Sequence, residues 1–584
     1  MSDGRNVPTS KHPDLVTFKI LSNGSEISAE YRIMSVIVER TVNHIAFAQF
    51  ILADGDTAKE KFEVSDKDDF IPGREIEIKA GYHSDEKTIF KGIIVKHGVK
   101  VQKDKPSILK IECKHAAVKL AAKRSSKYFY DATDSDIIEE VIKGVGLTAD
   151  VESMAVSHKE MVQFNTSDWD FIVLRAEANG RVVLTLDSGV AVKKPNFGQT
   201  PAIQLLFGGN VMDFELEIEA RTQVATLKAF GWNVADGENS ESEAASSTPS
   251  VPGNLKADDL AKAVKNEEVK IHIGGSLKDN ELQAWADAQL LRSRLAQVRG
   301  HIQCQGFGDI LPAQIVELKG MGERFNGKAF VSAIRHDIHQ NEWKTAIEIG
   351  LPSETHAESK KNIIAPKAAG LLPSLHGLHI GLVTKLEGDP DGEFRIQVRL
   401  PLVEASGEGT WARIACLDAG NERGAFFRPE IGDEVILGFI DDDPRQAIIL
   451  GMLNSSKNPA PLSNSDDNHQ KALVTRSKMK LTFDDDKKIM TFETPAGNKI
   501  KLDDDDGSIK IEDKNGNKIT MNSDGISIES AKDIKLKASA NIKAEASSNV
   551  EIKASAQAKI SGSAGAELSA SGTTTVKGAM VQIN

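Results

Sequence analysis

Along residues 31–40, 45–53, 75–80 and 88–96, side chains alternate between apolar and polar or are β-branched, and Gly, Asp and Asn separate the runs. A side chain that changes face at every residue belongs to a strand, so 15–234 is predicted to be mainly β. Two segments break the alternation. In 134–144, Ile137, Ile138, Val141 and Ile142 form one helical stripe, with Asp134 or Ser135 available as the cap; in 167–179 the apolar set is Trp169, Phe171, Ile172, Leu174 and Ala176. A third helix is predicted over 279–298, where Ala288, Leu291, Leu295 and Val298 are spaced 3, 4 and 3 apart. Strands follow at 301–306, 313–318, 328–336 and 343–349. Five more, at 380–386, 395–400, 409–415, 434–439 and 447–450, crowd into a short stretch, the density expected of a small closed barrel of the OB type.

The end of the chain follows another rule, an exact period of eight. One apolar position recurs as Ile526, Ile534, Ile542 and Val550, then weakens to Ala558, Ala566 and Thr574. A second, two residues on, reads Ile528, Leu536, Ala544, Ile552, Ile560, Leu568 and Val576. Spacing i, i+2 puts both on one face of a strand, and the Gly, Asp, Asn or Gln before most pairs lets the chain turn. One octad buries too little to offset its ordering entropy, so it must stack on neighbours. A single-chain solenoid closes its core with coils of roughly 18 residues or more. Eight residues make one side of a prism, and three intertwined chains would complete it. The needle core is therefore expected at Ile526, Ile528, Ile534, Leu536, Ile542, Val550, Ile552, Ile560, Leu568 and Val576. A disordered Ala/Ser/Lys tail is the alternative, and strict phasing of β-branched residues argues against it.

Composition refines this picture. The 584 residues correspond to about four domains. The shortage of aromatics, 5% overall, is local: the 92 residues 493–584 contain no Phe, Trp, Tyr, His, Cys or Arg and one proline. A formal charge of −13 makes phosphate backbones and anionic lipid poor partners, so no nucleic acid is expected. The start, Met1-Ser-Asp-Gly-Arg5, shows no apolar signal region, and no run approaches the roughly 18–20 residues of a membrane span. Cys113, Cys304 and Cys416 lie far apart, fitting neither a disulfide framework nor a zinc cluster, so a soluble protein of a reducing compartment is expected. The organisation read from these shifts is a tail (1–14), a first module (15–235), a flexible linker or loop (236–253, DGENSESEAASSTPSVPG), a second module (254–352), a connector (353–375), the barrel (376–462) and the needle (463–584).

Two β-rich modules, an OB barrel and an octad needle, in that order, resemble the VgrG-type spike of contractile injection systems and the fused hub and puncturing proteins of phage tails. The resemblance runs from about residue 15 to the end. It is carried by Ser167-Asp-Trp-Asp-Phe-Ile-Val-Leu-Arg-Ala-Glu-Ala-Asn-Gly180, by Gly308-Asp-Ile-Leu-Pro312 and by Phe325-Asn-Gly-Lys-Ala-Phe-Val331. The barrel adds Trp411-Ala-Arg, Phe427-Arg-Pro-Glu-Ile-Gly-Asp-Glu-Val435 and Asp443-Pro-Arg-Gln-Ala-Ile-Ile-Leu-Gly451, and Val576–Asn584 resembles the family's needle terminus. Val398-Arg-Leu-Pro401 replaces the His-Trp pair of many type VI spikes. Type VI, extracellular particle and phage all stay open.

The resemblance implies a mainly β fold with a few helices: two hub β-barrel modules, an OB-fold barrel and an intertwined triple-stranded β-helix. It implies a homotrimer that docks on an inner-tube protein, joins baseplate and sheath components, and meets a target membrane only transiently. Such a spike is made and assembled in the bacterial cytoplasm and delivered outside the cell or into a target cell. A PAAR-type tip protein, and cargo effectors with it, are expected at Met580, Val581, Ile583 and Asn584. The alternatives are a spike with its own cell-wall-degrading or effector activity, and a trimeric fibre or adhesin. The first needs an enzyme module that neither 454–478 nor the stretch after the last repeat has room for. The second leaves the two modules and the barrel unexplained.

No catalytic, cofactor or metal site is read from the sequence. Gly322-Glu-Arg-Phe-Asn-Gly327-Lys328-Ala329 is one residue from a phosphate-binding loop, but Ala329 lacks the hydroxyl that holds Mg²⁺ and the segment reads as strand. His336-Asp-Ile-His339 has no zincin glutamate, and His376 with His379 has no third ligand. The runs Asp441–Asp443, Asp484–Asp486 and Asp503–Asp506 lack an EF-hand arrangement and read as solvated turns. No Gly-x-Ser-x-Gly elbow or cysteine nucleophile motif occurs.

Overall fold

The computed structural model describes residues 15–245, 249, 251–340 and 342–583, so the expectations for the 1–14 tail and for Asn584 lie outside the described residues. The chain divides into two compact units, Met1–Leu375 with Asp441–Pro444, and His376–Ile440 with Arg445–Asn584.

In the first unit the alternating segments join, among the described residues, in a thirteen-stranded sheet. Its centre is Gly327–His339, a strand long enough to serve two neighbourhoods. On one edge it pairs antiparallel with Glu342–Ile349, and on the other with Ile33–Thr41, Ala333 facing Thr41 and His339 facing Ser35. The two modules expected in sequence thus share one sheet. Each side keeps its own core. Around Phe50, Phe70 and Phe90, all fully buried, Phe50 and Phe70 meet edge to face with centroids 5.5 Å apart. The other core gathers Ile302, Val316, Leu318, Val331, Ile334 and Ile347. The phosphate-loop look-alike ends in this strand, which begins at Gly327.

Helix Asp134–Lys143 is capped one residue earlier than expected. Thr133 accepts from the Asp136 N–H while the Asp136 carboxylate accepts from the Thr133 N–H, a reciprocal pair that neither Asp134 nor Ser135 makes. Asp134 is instead fully buried. It accepts from Arg175 Nε at 2.7 Å and from Asn179 Nδ2 at 2.9 Å, tying its helix to Asp168–Ala178. Burial pushes its carboxyl up, but the Arg175 hydrogen bonds and charge outweigh this and hold it below the ordinary carboxylate range. Ser167 caps that second helix by accepting from the Asp170 N–H. Helix Asp279–Leu295 buries Ala288, Leu291 and Leu295 as expected, while Val298 opens the next strand, Val298–Gln305.

One segment departs from its sequence reading. Within 236–253, Glu238–Glu243 is a strand, antiparallel to Thr226–Asn233, with Lys228 opposite Glu243 and Asn233 opposite Glu238. Its Glu, Ser and Asn side chains bury little, so composition reads as linker. The backbone ladder needs no apolar side chain, and Lys228 Nζ lies 2.7 Å from Glu241. A charged edge strand of this kind also resists edge-to-edge association.

In the second unit five strands form a closed barrel: His379–Lys385, Ile396–Arg399, Thr410–Ile414, Ala447–Met452 and Glu434–Phe439. Val383, Ile396, Val398, Ala412, Val435, Leu437 and Ile449 fill it. Gly409 sits at φ +90°, where a Cβ would lie 2.0 Å from the Val398 carbonyl oxygen, so only glycine lets the chain turn in at this point.

Candidate functional site: the apolar rails of the needle

Seven five-residue strands follow the barrel in simple up-and-down order: Gln470–Val474, Lys480–Asp484, Ile489–Glu493, Lys499–Asp503, Ser508–Glu512, Lys518–Asn522 and Gly525–Glu529. The register of every hairpin places apolar residue opposite apolar residue. Leu473 faces Leu481, Leu481 faces Phe492, and Phe492 faces Ile500; the line continues through Ile511 and Ile519 to Ile528. Two residues along each strand, and so on the same face, a second line joins Phe483, Met490, Leu502, Ile509, Met521 and Ile526. These are two parallel rails on a single-layer sheet. A groove of about 780 Å³ follows the first, reaching Ile534.

The other face is charged, and its charges are ordered. Lys480, Glu493, Lys499, Glu512, Lys518 and Glu529 face one another in consecutive pairs, alternating in sign at every step. Opposite charges directly across an antiparallel pair stabilise it, and a slip of register would bring like charges together. Lys501 faces Lys510, a like-charge pair, but each has its own counter-ion: Lys501 with Asp503 at 2.5 Å and Lys510 with Asp506 at 2.9 Å. Those lysines hold both carboxyls below the ordinary range. The run Asp503–Asp506 is therefore a turn tied by its own lysines, with the Asp506 N–H donating to Asp503 Oδ1 at 3.0 Å. In the Lys514–Asn517 turn Gly516 adopts φ +87°, and Asn517 with Asn515 holds the Asp513 carboxyl at about 2.

A sheet with one polar and one apolar face must cover the apolar one. In the chain alone Phe492, Ile500 and Ile511 keep 45, 41 and 39% of their surface exposed. The octads that follow carry the same two-residue spacing. Residues 530–583 adopt neither helix nor strand within the chain, and Ile534, Leu536, Ile542, Val550, Ile552, Ile560, Leu568 and Val576 are all exposed.

Comparison with known proteins gives three family matches. The Alg8 N-terminal domain matches residues 12–340, more than half the chain; the type VI secretion system/phage-baseplate injector OB domain matches 379–453; and the phage baseplate V C-terminal trimerisation domain matches 488–584. The chain belongs to the Alg8 N-terminal domain family, and its order of domains is similar to that of VgrG-type spikes. Among curated relatives, the type VI secretion system spike protein VgrG1b of Pseudomonas aeruginosa is 21% identical over 60% of this chain and 50% of its own length. VgrG3 of Vibrio cholerae is 31% identical over 18% of this chain and 11% of its own. The chain thus spans about half the length of the first and a tenth of the second. Solved structures that resemble it include the 43 kDa tail protein of prophage MuSo2 from Shewanella oneidensis (11% identity, 58% of this chain, 99% of that one, TM-score 0.43). The E. coli c3393 protein, a component of the type VI secretion system, is another (12% identity, 74% and 100%, TM-score 0.37).

The trimerisation match begins inside the meander, at residue 488, and takes in most of both rails. The two curated relatives are named as type VI secretion system spike proteins. No helix among the described residues is long and apolar enough to cross a membrane. His336 and His339 do not converge: His336 is buried, its Nδ1 2.9 Å from Thr345 Oγ1, while His339 is exposed with Nδ1 2.9 Å from the Met34 carbonyl oxygen. His379 Nε2 lies 2.9 Å from the His376 carbonyl oxygen. Missed in the sequence were the rail positions before Ile526. Their signal is the i, i+2 apolar pair in each strand from Lys480–Asp484 onward and the Gly-Asn-Lys-Ile run that occurs at both 497–500 and 516–519, just after a turn. It is harder to see because hairpin lengths vary and no strict period results.

Proposed function

We propose that this chain is the homotrimeric central spike of a contractile injection system, docking on the inner tube through its hub and puncturing target membranes to deliver cargo. The single observation that carries this reading is the pair of uncovered apolar rails on a layer whose other face is charged, most of their length inside a match to a trimerisation domain. Three copies covering each other's rails would bury Phe492, Ile500, Ile511 and Ile528 about one axis, and the octads Ile534–Val576 would continue that core. Each of these side chains is already about half covered within the chain, so completing its burial stabilises the assembly by roughly 1 kcal/mol. The role is mechanical: continuous packing along an axis transmits force from a sheath and offers few low-energy openings. Met580, Val581 and Ile583 are 85, 50 and 90% exposed and form the proposed seat of a PAAR-type tip protein with its cargo, while Asn584 lies outside the described residues. Native mass spectrometry of the purified chain tests the assembly. A trimer of about 190 kDa, three times 63.2 kDa, is expected; a folded monomer at micromolar concentration overturns it. Co-assembly with tube protein tests the docking, and a chain that never enters particles overturns that part.

A further inference from the structure

The rails are not the only apolar surface that the second unit leaves uncovered. Leu417 is 98% exposed, Leu402 94%, Phe394 79% and Phe426 77%, values beyond anything on the rails. They lie on the barrel's loops. Leu402 and Val403 follow strand Ile396–Arg399, while Leu417 and Phe426 flank a small hairpin, Ala419–Gly420 paired with Arg423–Gly424, inserted between two barrel strands.

The insert is braced. Arg423 Nη1 lies 2.7 and 2.8 Å from the two Asp418 oxygens, and the Ala425 N–H donates to the Asp418 carbonyl at 2.9 Å. Arg428 donates to the Phe394 carbonyl at 2.8 Å and sets its guanidinium 5.0 Å from the Phe426 ring centre. Polar bonds thus hold a fixed loop that presents leucine and phenylalanine to water, an arrangement that marks a binding surface. It is also continuous with the needle: Arg476, in the turn before strand Lys480–Asp484, pairs with Glu430 of the insert at 2.9 Å.

A three-fold ring cannot be closed by a patch that meets itself; each copy must offer two different patches, one to each neighbour. The barrel has two. We propose that the insert, residues 415–433, is a clasp between copies of this chain, the Leu417 and Phe426 side of one copy packing on Leu402 and Val403 of the next. The clasp rests on the trimer reading above and lies outside the region matched by the trimerisation domain.

The chain carries its own reporter. Cys416, beside Leu417, is exposed in the single chain, whereas Cys113 and Cys304 are buried. Reaction of the native full-length protein with a thiol reagent, followed by intact mass, therefore reads Cys416. In the trimer it should react at least about tenfold more slowly than in a chain dissociated by Ile500→Asp with Ile511→Asp. Leu417→Ser and Leu402→Ser, which leave the rails intact, should each keep the needle trimer and raise the Cys416 rate toward that of the dissociated chain. A trimer in which Cys416 reacts as fast as in the dissociated chain, or in which neither serine variant changes the rate, overturns the clasp alone. A wild-type chain that is monomeric by native mass overturns the trimer and the clasp together.

Discussion

Ile519 stands directly opposite Ile528 in the last antiparallel pair of the needle, so the first rail of the meander runs without a break into the second register of the octad repeat. Met521 and Ile526 join the other rail to the first register in the same hairpin. Meander and octads are one apolar stripe along the sequence, built first by strands that pair within the chain and then by octads that adopt neither helix nor strand within it.

That continuity predicts equal sensitivity on both sides of the junction. Ile500→Asp, Ile534→Asp and Ile552→Asp each place three carboxylates near one axis. At about 2 kcal/mol or more per desolvated carboxylate, tripled by symmetry, the trimer dissociation constant should rise more than about a thousandfold. Lys537→Ala and Lys553→Ala, at outward positions, should leave it within a few-fold. Analytical ultracentrifugation over a concentration series checks both, and equal tolerance at the two kinds of site would show the inward register to be wrong.

The alternating ladder makes a separable prediction. Lys499→Glu sets Glu493, residue 499 and Glu512 in a row of one sign, and the thermal midpoint of the needle should fall by the loss of two pairs per chain, each about 0.2–1 kcal/mol. Exchanging the charges of Glu493 and Lys499 keeps that one pair but sets each residue against a like charge on its other side, so it should not restore the midpoint. Exchanging the sign of the whole ladder should. The effect shrinks in high salt, because exposed charges are screened.

The hub should lose stability in acid through its buried imidazoles. Burial holds His336 at about 3, and an unfolded histidine titrates near 6.5, so protons favour the unfolded chain between those values. Stability is therefore full above pH 6.5 and falls by about 1.4 kcal/mol per pH unit below it. Burial lowers His115 as well, adding in the same direction. Denaturant melts from pH 7 to 4, comparing wild type with His336→Gln, should show a shallower slope in the variant.

Deleting 238–243 should destabilise the hub. The segment reads as a dispensable linker, but the deletion strips one edge from Thr226–Asn233 and opens the layer where Leu227 and Ala229 pack under helix Asp279–Leu295. A drop of several degrees in the hub's melting temperature is expected, with proteolysis appearing near residue 244. An unchanged melt would mean that the strand adds nothing.

The sequence by itself determined what is periodic over short distances: three of the six helices among the described residues, the five barrel strands, the alternating strands of the hub and the octad spacing. Each is a local pattern of apolar side chains meeting a single geometric repeat, and the family resemblance followed from their order. Only the tertiary structure decided which strands become neighbours. Gly327–His339 joins Ile33–Thr41 across almost 300 residues through backbone hydrogen bonds that leave no mark on composition. Glu238–Glu243 becomes a strand without a single large apolar side chain. The rails exist only because each hairpin's turn length sets a register that brings Phe492 to Ile500 and Ile500 to Ile511. One residue of slip would carry every apolar side chain to the charged face, so the alternation marks the face while the turn geometry decides the line.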